Sequence, residues 1–218
     1  MNDYIKNLPL YLIKRYKDWK VKGFEENKAW FEKIANEGQN PSTMVISCCD
    51  SRIHVTSIFG ADIGEFFIHR NIANLIPPFN IDGDHHGTSA AIEYAVINLK
   101  VSNIIVMGHS KCGGINSGYK LCKKKNLQSE TIFIDKWLNI LKPAFATVLK
   151  KNIILSDDEG IKYLEKESIL FSINNLINFP FVNEAIKNNS LVIHGIWHDI
   201  GTGDIESLDP NSLKFVKI

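Results

Sequence analysis

Four short apolar runs, well separated along the chain, constrain its fold more than any other feature of the sequence. Apolar and polar residues do not alternate within them, so each run predicts a strand that is buried on both faces. Segments with the apolar spacing of helices separate the later runs. The runs are residues 44–47, 66–68, 104–107 and 191–193, and the helical segments are residues 88–100, 131–150 and 161–178. Strands that alternate with helices predict an α/β fold, in which a mainly parallel central sheet is flanked by helices in αβα layers.

The N-terminal region has the pattern of a helical arm. Residues 4–36 predict two helices separated near Gly23. Tyr11, Leu12 and Trp19 are large apolar residues of this arm, and we expect a partner subunit to cover them.

No internal repeat, low-complexity segment or linker divides the sequence. We therefore predict a single domain over residues 1–218, in which residues 1–36 form the arm and residues 39–218 form the core. The segment 192–205 contains Gly201 and Gly203, and it predicts a bent strand or an edge hairpin.

Composition and charge restrict the classes of function. The chain has 218 residues, of which 44% are hydrophobic, and this fraction supports a sizeable core. A formal net charge of +1 gives no basic field that would indicate nucleic acid or a membrane as the main partner. No apolar stretch reaches the ~18 residues of a membrane span, and no signal-peptide pattern is present, so we expect a cytoplasmic protein. Four cysteines are few for a disulfide scaffold, and Cys49 and Cys122 are predicted to be free thiols.

Three potential metal ligands stand where two of the apolar runs end. Cys48 follows the first run, and His109 and Cys112 follow the third. Sites in open parallel sheets form just beyond the carboxyl ends of the strands, so residues far apart in sequence can meet there. Two thiolates and one imidazole suit Zn²⁺. Three protein ligands leave the fourth tetrahedral position open, which is typical of a catalytic zinc.

The ligands belong to two longer motifs, CCDSR at residues 48–52 and GHSKCGG at residues 108–114. These motifs resemble those of the β-class carbonic anhydrases, and the resemblance extends over residues 39–204. It implies an enzyme with one Zn²⁺ per chain that interconverts CO₂ and bicarbonate by attack of zinc-bound hydroxide. It also implies a homodimer or a multiple of dimers. The other segments that carry the resemblance are residues 64–74, 93–96, 175–176, 180–182 and 194–195.

Asp50 and Arg52 are the predicted catalytic residues. Asp50 comes two residues after the first ligand, and it can accept a hydrogen bond from the water on the zinc. Arg52 can hold that carboxylate with two parallel hydrogen bonds, which keeps Asp50 ionised and away from the metal. Zinc with two thiolates and a neutral imidazole carries no net charge, so we expect it to acidify water less than zinc with three histidines does.

The resemblance also assigns a substrate pocket. Gln39, Phe67 and Tyr94 match residues that line the pocket in the plant-like branch of the family. Gly113 follows the last ligand and offers a backbone N–H to a substrate oxygen. An apolar wall with a few polar groups suits CO₂, which is apolar. The family builds this pocket partly from a neighbouring chain, and we expect the same here.

Two other functions use the same three ligands. A hydrolase of CS₂ or COS on this scaffold would differ only in access to the zinc. A non-catalytic zinc module would use Asp50 as a permanent fourth ligand, but the presence of Arg52 argues against it. A zinc knuckle that binds nucleic acid would need closely spaced ligands and a basic surface, and the net charge of +1 does not supply that surface.

Overall fold

A sheet of mixed direction forms the centre of the fold. The computed structural model describes residues 4–82, 86–123, 131–150 and 156–218. The strands of these residues are β1 Thr43–Cys48, β2 Phe66–Asn71, β3 Asn103–His109, β4 Val192–His198, β5 Ile205–Leu208 and β6 Phe215–Lys217. Their order across the sheet is β2-β1-β3-β4-β5-β6. The pairs among β1 to β4 are parallel, and β5 and β6 are added antiparallel.

The parallel pairing of the four apolar runs confirms the predicted α/β fold. β1 lies between β2 and β3, and all six of its residues are buried. Met44 and Ile46 belong to the core on one face of the sheet, whereas Val45 belongs to the core on the other. A strand with both faces covered needs apolar residues at successive positions, which is the pattern in the sequence. The edge hairpin expected around Gly201 and Gly203 is the antiparallel pair of β4 and β5.

Helices account for most of the remaining described residues. One difference from the sequence pattern is the segment 131–150, which forms two helices joined by a 3₁₀ turn, Asn139–Leu141. Pro143 lacks the N–H that a continuous helix would need at this point, so a new helix begins beside it. The patterns also do not predict three helices, which are Val55–Phe59, Gly113–Lys123 and Pro180–Lys187. The helices are α1 Leu10–Trp19, α2 Lys28–Glu37, α3 Val55–Phe59, α4 His86–Glu93, α5 Gly113–Lys123, α6 Phe133–Leu138, α7 Lys142–Lys150, α8 Asp157–Ile177 and α9 Pro180–Lys187.

Helix α8 begins at a capping box and packs closely on the sheet. The Ser156 hydroxyl accepts the backbone N–H of Glu159, and the Glu159 carboxylate accepts the backbone N–H of Ser156. The helix then contacts β3 and β4, where Gly108 and Gly195 have no side chain. A Cβ at Gly108 would lie 2.7 Å from Ile169 Cδ1, so the glycine permits this close approach.

The N-terminal residues form a compact unit of their own, Met1–Asn40, and Pro41–Ile218 forms a second. A π-helical turn and a 3₁₀ turn join α1 to α2, so the separation expected near Gly23 is a change in helical hydrogen bonding. Tyr11 is 59% exposed, Leu12 39% and Trp19 46%, so these side chains are open to a partner. The single domain over residues 1–218 stays a prediction. Among the described residues, no helix is long and apolar enough to cross a membrane.

Candidate metal centre

Cys48, His109 and Cys112 meet at the carboxyl ends of two neighbouring strands. Cys48 is the last residue of β1 and His109 the last of β3, and the two strands pair in parallel. The side chains are buried, with exposures of 4%, 1% and 1%. One ligand atom from each residue lies within 4.8 Å of the other two, and no other described residues form such a group of three.

The geometry of these side chains fits a zinc ion. The Sγ atoms of Cys48 and Cys112 lie 3.8 Å apart, and two thiolates at Zn–S distances of about 2.3 Å in a tetrahedral site would lie about 3.8 Å apart. His109 Nδ1 lies 2.9 Å from the carbonyl oxygen of Ser110. An N–H at that atom would donate to the carbonyl and leave the lone pair on Nε2. His109 Nε2 is buried and has no hydrogen-bond partner, so it is the atom available to a metal.

The two sulfur atoms strongly influence each other's protonation. The hydrogen bond from Cys112 lowers the pKa of Cys48, although burial acts in the opposite direction. The same hydrogen bond and burial raise the pKa of Cys112. Two thiolates this close repel each other, so both ionise readily only when a cation lies beside them.

The turn between β3 and α5 carries Cys112 back towards His109. Lys111 has a φ of 55°, in the left-handed region that residues with a Cβ rarely adopt. Charged side chains hold both ends of the peptide group that joins Lys111 to Cys112. Arg52 Nη2 donates to the Lys111 carbonyl at 3.1 Å, and the Cys112 N–H donates to Glu165 Oε1 at 3.2 Å.

Glu165 is a functional candidate that the sequence reasoning missed. It is 3% exposed, in the middle of α8. Burial raises its pKa, whereas the N–H donors of Cys112 and Trp197 act to lower it. The helical spacing of the sequence could have identified it. Glu165 lies on the same face of α8 as the buried residues Ser168, Ser172 and Leu176. A carboxylate at a buried position of a helix indicates a specific partner.

Asp50 and Arg52 form a bidentate pair beside the candidate ligands. Asp50 Oδ1 accepts hydrogen bonds from Arg52 Nε at 2.9 Å and from its backbone N–H at 3.0 Å. Asp50 Oδ2 accepts one from Arg52 Nη2 at 2.7 Å. The Arg52 guanidinium holds the pKa of Asp50 well below its usual range, so this carboxyl is ionised at neutral pH.

Arg70 fixes the backbone of the same loop. Its Nε donates to the carbonyl of Cys48 at 2.9 Å, and its Nη2 donates to the carbonyl of Asp50 at 2.7 Å. The backbone N–H of Cys49 donates to the carbonyl of Asn71, which extends the pairing of β1 with β2 by one residue. Arg70 lies within the segment 64–74, but the sequence of this segment does not indicate these bonds.

The predicted pocket residues lie in different parts of the chain. The rings of Phe67 and Tyr94 are neighbours, with centroids 5.8 Å apart. Phe67 pairs with Met44, which comes four residues before Cys48 in β1. At a rise of about 3.3 Å per residue, Phe67 therefore lies about 13 Å from the end of the sheet that carries Cys48. Gly113 is exposed at the start of α5. Gln39 belongs to the N-terminal unit.

Comparison with known proteins identifies relatives over most of the chain. The carbonic anhydrase family model matches residues 43–205. Beta carbonic anhydrase 3 of Arabidopsis thaliana is 36% identical over 193 residues, which are 88% of this chain and 74% of that protein. The β-carbonic anhydrase CcaA has a TM-score of 0.88 at 29% identity, over 96% of this chain and 91% of that one. A tetrameric β-carbonic anhydrase of the filamentous ascomycete Sordaria macrospora has a TM-score of 0.78 at 34% identity, over 91% of this chain and 95% of that one.

Proposed function

Because this chain belongs to the β-class carbonic anhydrase family, we propose that it catalyses the reversible hydration of CO₂ to bicarbonate and a proton. Cys48, His109 and Cys112 would hold one Zn²⁺ per chain. When bound there, the metal supplies Lewis-acid chemistry that makes water a nucleophile at moderate pH. The observation that carries the proposal is the Asp50–Arg52 pair beside the three ligands.

Asp50 would orient the attacking water. Its carboxylate is ionised, and an ionised carboxylate accepts hydrogen bonds through several lone pairs, so it can accept a hydrogen bond from a water as well as those from Arg52. Arg52 binds both carboxylate oxygens, which restrains Asp50 from turning towards the cysteines. This arrangement favours an open fourth ligand position over a site that Asp50 closes permanently.

A neighbouring subunit would supply part of the substrate pocket. Phe67 lies about 13 Å along its own strand from the ligand end, so the proposal is that Phe67 and Tyr94 line the site of a partner chain. Gln39 and Gly113 would offer polar groups to substrate. A homodimer or a multiple of dimers is therefore proposed, and the exposed apolar side chains of the N-terminal unit and the tetrameric Sordaria relative support it.

The proposed location is the cytoplasm. All four cysteines are free thiols in the structure, and unpaired cysteines are typical of reducing compartments. Fractionation of the source cells with an antibody against the chain would test this location.

Stopped-flow measurement of CO₂ hydration, on wild type and Asp50→Asn, tests the proposed activity. We expect wild type to be active and Asp50→Asn to lose about 100-fold or more while it keeps one zinc per chain. Asp62→Asn is the matched control, because Asp62 is exposed and lies outside the site. Full activity of Asp50→Asn would remove Asp50 from the mechanism.

Assays of the same purified protein with other substrates distinguish the alternative functions. Turnover of CS₂ or COS without CO₂ hydration would favour the hydrolase. Zinc binding without turnover of any of these substrates would favour the non-catalytic module with Asp50 as fourth ligand.

A further inference from the structure

One peptide group links the proposed catalytic pair to the last metal ligand. The Lys111 carbonyl accepts a hydrogen bond from Arg52 Nη2 at 3.1 Å, and the Cys112 N–H on the same peptide donates to Glu165 Oε1 at 3.2 Å. The guanidinium that holds Lys111 also binds Asp50. A rotation of this peptide would therefore move Cys112 and the Asp50–Arg52 pair together.

The conformation of this turn needs support from its surroundings. Lys111 has a φ of 55°, which is unfavourable for a residue with a Cβ and persists only where neighbouring groups hold it. Glu165 comes from α8, an element remote in sequence from the turn. Its bond to the Cys112 N–H is thus a tertiary contact that selects this orientation of the peptide.

The setting of Glu165 indicates more than a packing role. Its second oxygen accepts the indole N–H of Trp197 at 3.3 Å. Among the described residues, no Lys or Arg forms an ion pair with it. Lys162 and Lys166 instead lie over the ring of Trp197, with Nζ atoms 5.6 and 4.5 Å from its centroid. A buried carboxylate without a paired charge is destabilising unless its hydrogen bonds compensate.

We propose that Glu165 is a positioning residue, which holds the Lys111–Cys112 peptide so that Cys112 faces Cys48 and His109 while Arg52 stays on Asp50. This inference rests on the proposed function for its catalytic consequence, but its effect on metal binding stands apart from it. Groups that orient metal ligands through hydrogen bonds typically change metal affinity by about 10- to 100-fold when they are altered.

The test compares three variants by metal affinity and by the spectrum of the Co²⁺-loaded protein. Glu165→Gln is nearly isosteric, but its amide has only one acceptor oxygen for two N–H donors, Cys112 and Trp197. We expect Glu165→Gln to weaken Zn²⁺ binding about tenfold or more in competition with a chelator. We also expect it to change the thiolate-to-Co²⁺ charge-transfer bands, which report on the cysteine ligands.

Trp197→Phe is the matched control, because it removes the second donor and leaves the bond to Cys112. We expect it to lower the melting temperature but to keep metal affinity and the Co²⁺ spectrum near those of wild type. In the double variant Glu165→Gln/Trp197→Phe, the single amide oxygen is free to accept a hydrogen bond from the Cys112 N–H. We therefore expect the double variant to recover the metal affinity and the spectrum that Glu165→Gln loses.

Two results would overturn the inference. One is a Glu165→Gln protein that binds Zn²⁺ as tightly as wild type with an unchanged Co²⁺ spectrum. The other is a double variant that stays as weak as Glu165→Gln, since that would assign the effect to the lost charge and not to the hydrogen bond. Wild type that binds both metals but does not hydrate CO₂ would instead reject the proposed function, and the metal measurements would still decide the role of Glu165.

Discussion

The Sγ atoms of Cys48 and Cys112 lie 3.8 Å apart although 64 positions separate the two residues in sequence. This distance is far longer than a disulfide bond of about 2.05 Å, and it is close to the separation of two thiolates that share a tetrahedral zinc. The parallel pairing of β1 with β3 produces it. Several properties of the protein depend on this pair and on the loops that carry it.

Replacing a cysteine of the pair is expected to release the metal. Cys112→Ser or Cys48→Ala leaves two strong ligands, and a site with two ligands binds zinc weakly. Cys122→Ser is the matched control, because Cys122 is a free thiol outside the ligand group. Elemental analysis of dialysed protein should give one zinc per chain for wild type and for Cys122→Ser. A full zinc content in Cys112→Ser would contradict the assignment of the ligands.

Replacing Arg70 is expected to lower the activity and to leave the metal content unchanged. Arg70→Gln removes charge-assisted bonds to the carbonyls of Cys48 and Asp50, so the loop that carries Asp50 gains freedom. We expect a decrease in kcat of about 10- to 100-fold with zinc retained, since a small misplacement of a catalytic group has effects of this size. Arg15→Gln, in α1, is the control. Unchanged kcat in Arg70→Gln would show that the loop keeps its conformation without these bonds.

The capping box of α8 is expected to contribute to stability. Ser156→Ala removes the hydroxyl that accepts the Glu159 N–H, and losses of this kind destabilise a protein by about 1 kcal/mol. In a chain of this length that corresponds to a melting temperature lower by about 2–4 °C. Ser117→Ala, at an exposed position within α5, should change the melting temperature less. Equal melting curves for Ser156→Ala and wild type would show that the cap is dispensable.

His69 is expected to make the protein less stable in mild acid. Its Nε2 lies 3.0 Å from Thr88 Oγ1, and burial lowers its pKa. The folded protein then binds fewer protons than the unfolded chain, in which the pKa of histidine is about 6.5. Stability is therefore complete above about pH 6.5 and decreases as the pH falls below that value.

The measurement for His69 is the melting temperature of wild type and His69→Gln between about pH 8 and pH 5. Protonation of the metal ligands affects both proteins alike, so the difference between the two curves isolates His69. We expect the wild-type curve to fall more steeply in acid. Parallel curves would rule out a contribution from this residue.

Much of the fold follows from local patterns. Met44, Val45 and Ile46 are successive apolar residues, and the strand that they form is covered on both faces and buries all three. Gly201 and Gly203 likewise predicted a bent strand or an edge hairpin, and the structure has the antiparallel hairpin. The start of α5 was not predictable in this way, because Gly113 and Gly114 give no helical pattern and the helix depends on its tertiary contacts.

The amino-acid sequence was sufficient to identify residues that can hold a metal and to predict that they follow strands. Cys48, His109 and Cys112 each come directly after an apolar run or just beyond it, and parallel strands bring such positions to one edge. The contact of Glu165 with the Cys112 N–H, and the distance of Phe67 from the candidate ligands of its own chain, follow from tertiary packing and not from local sequence. These relationships depend on how α8 packs and on the register of β1 with β2, which join segments remote in sequence. Local residue patterns report periodicity and turn chemistry, and they carry no information about which distant groups the packing brings together.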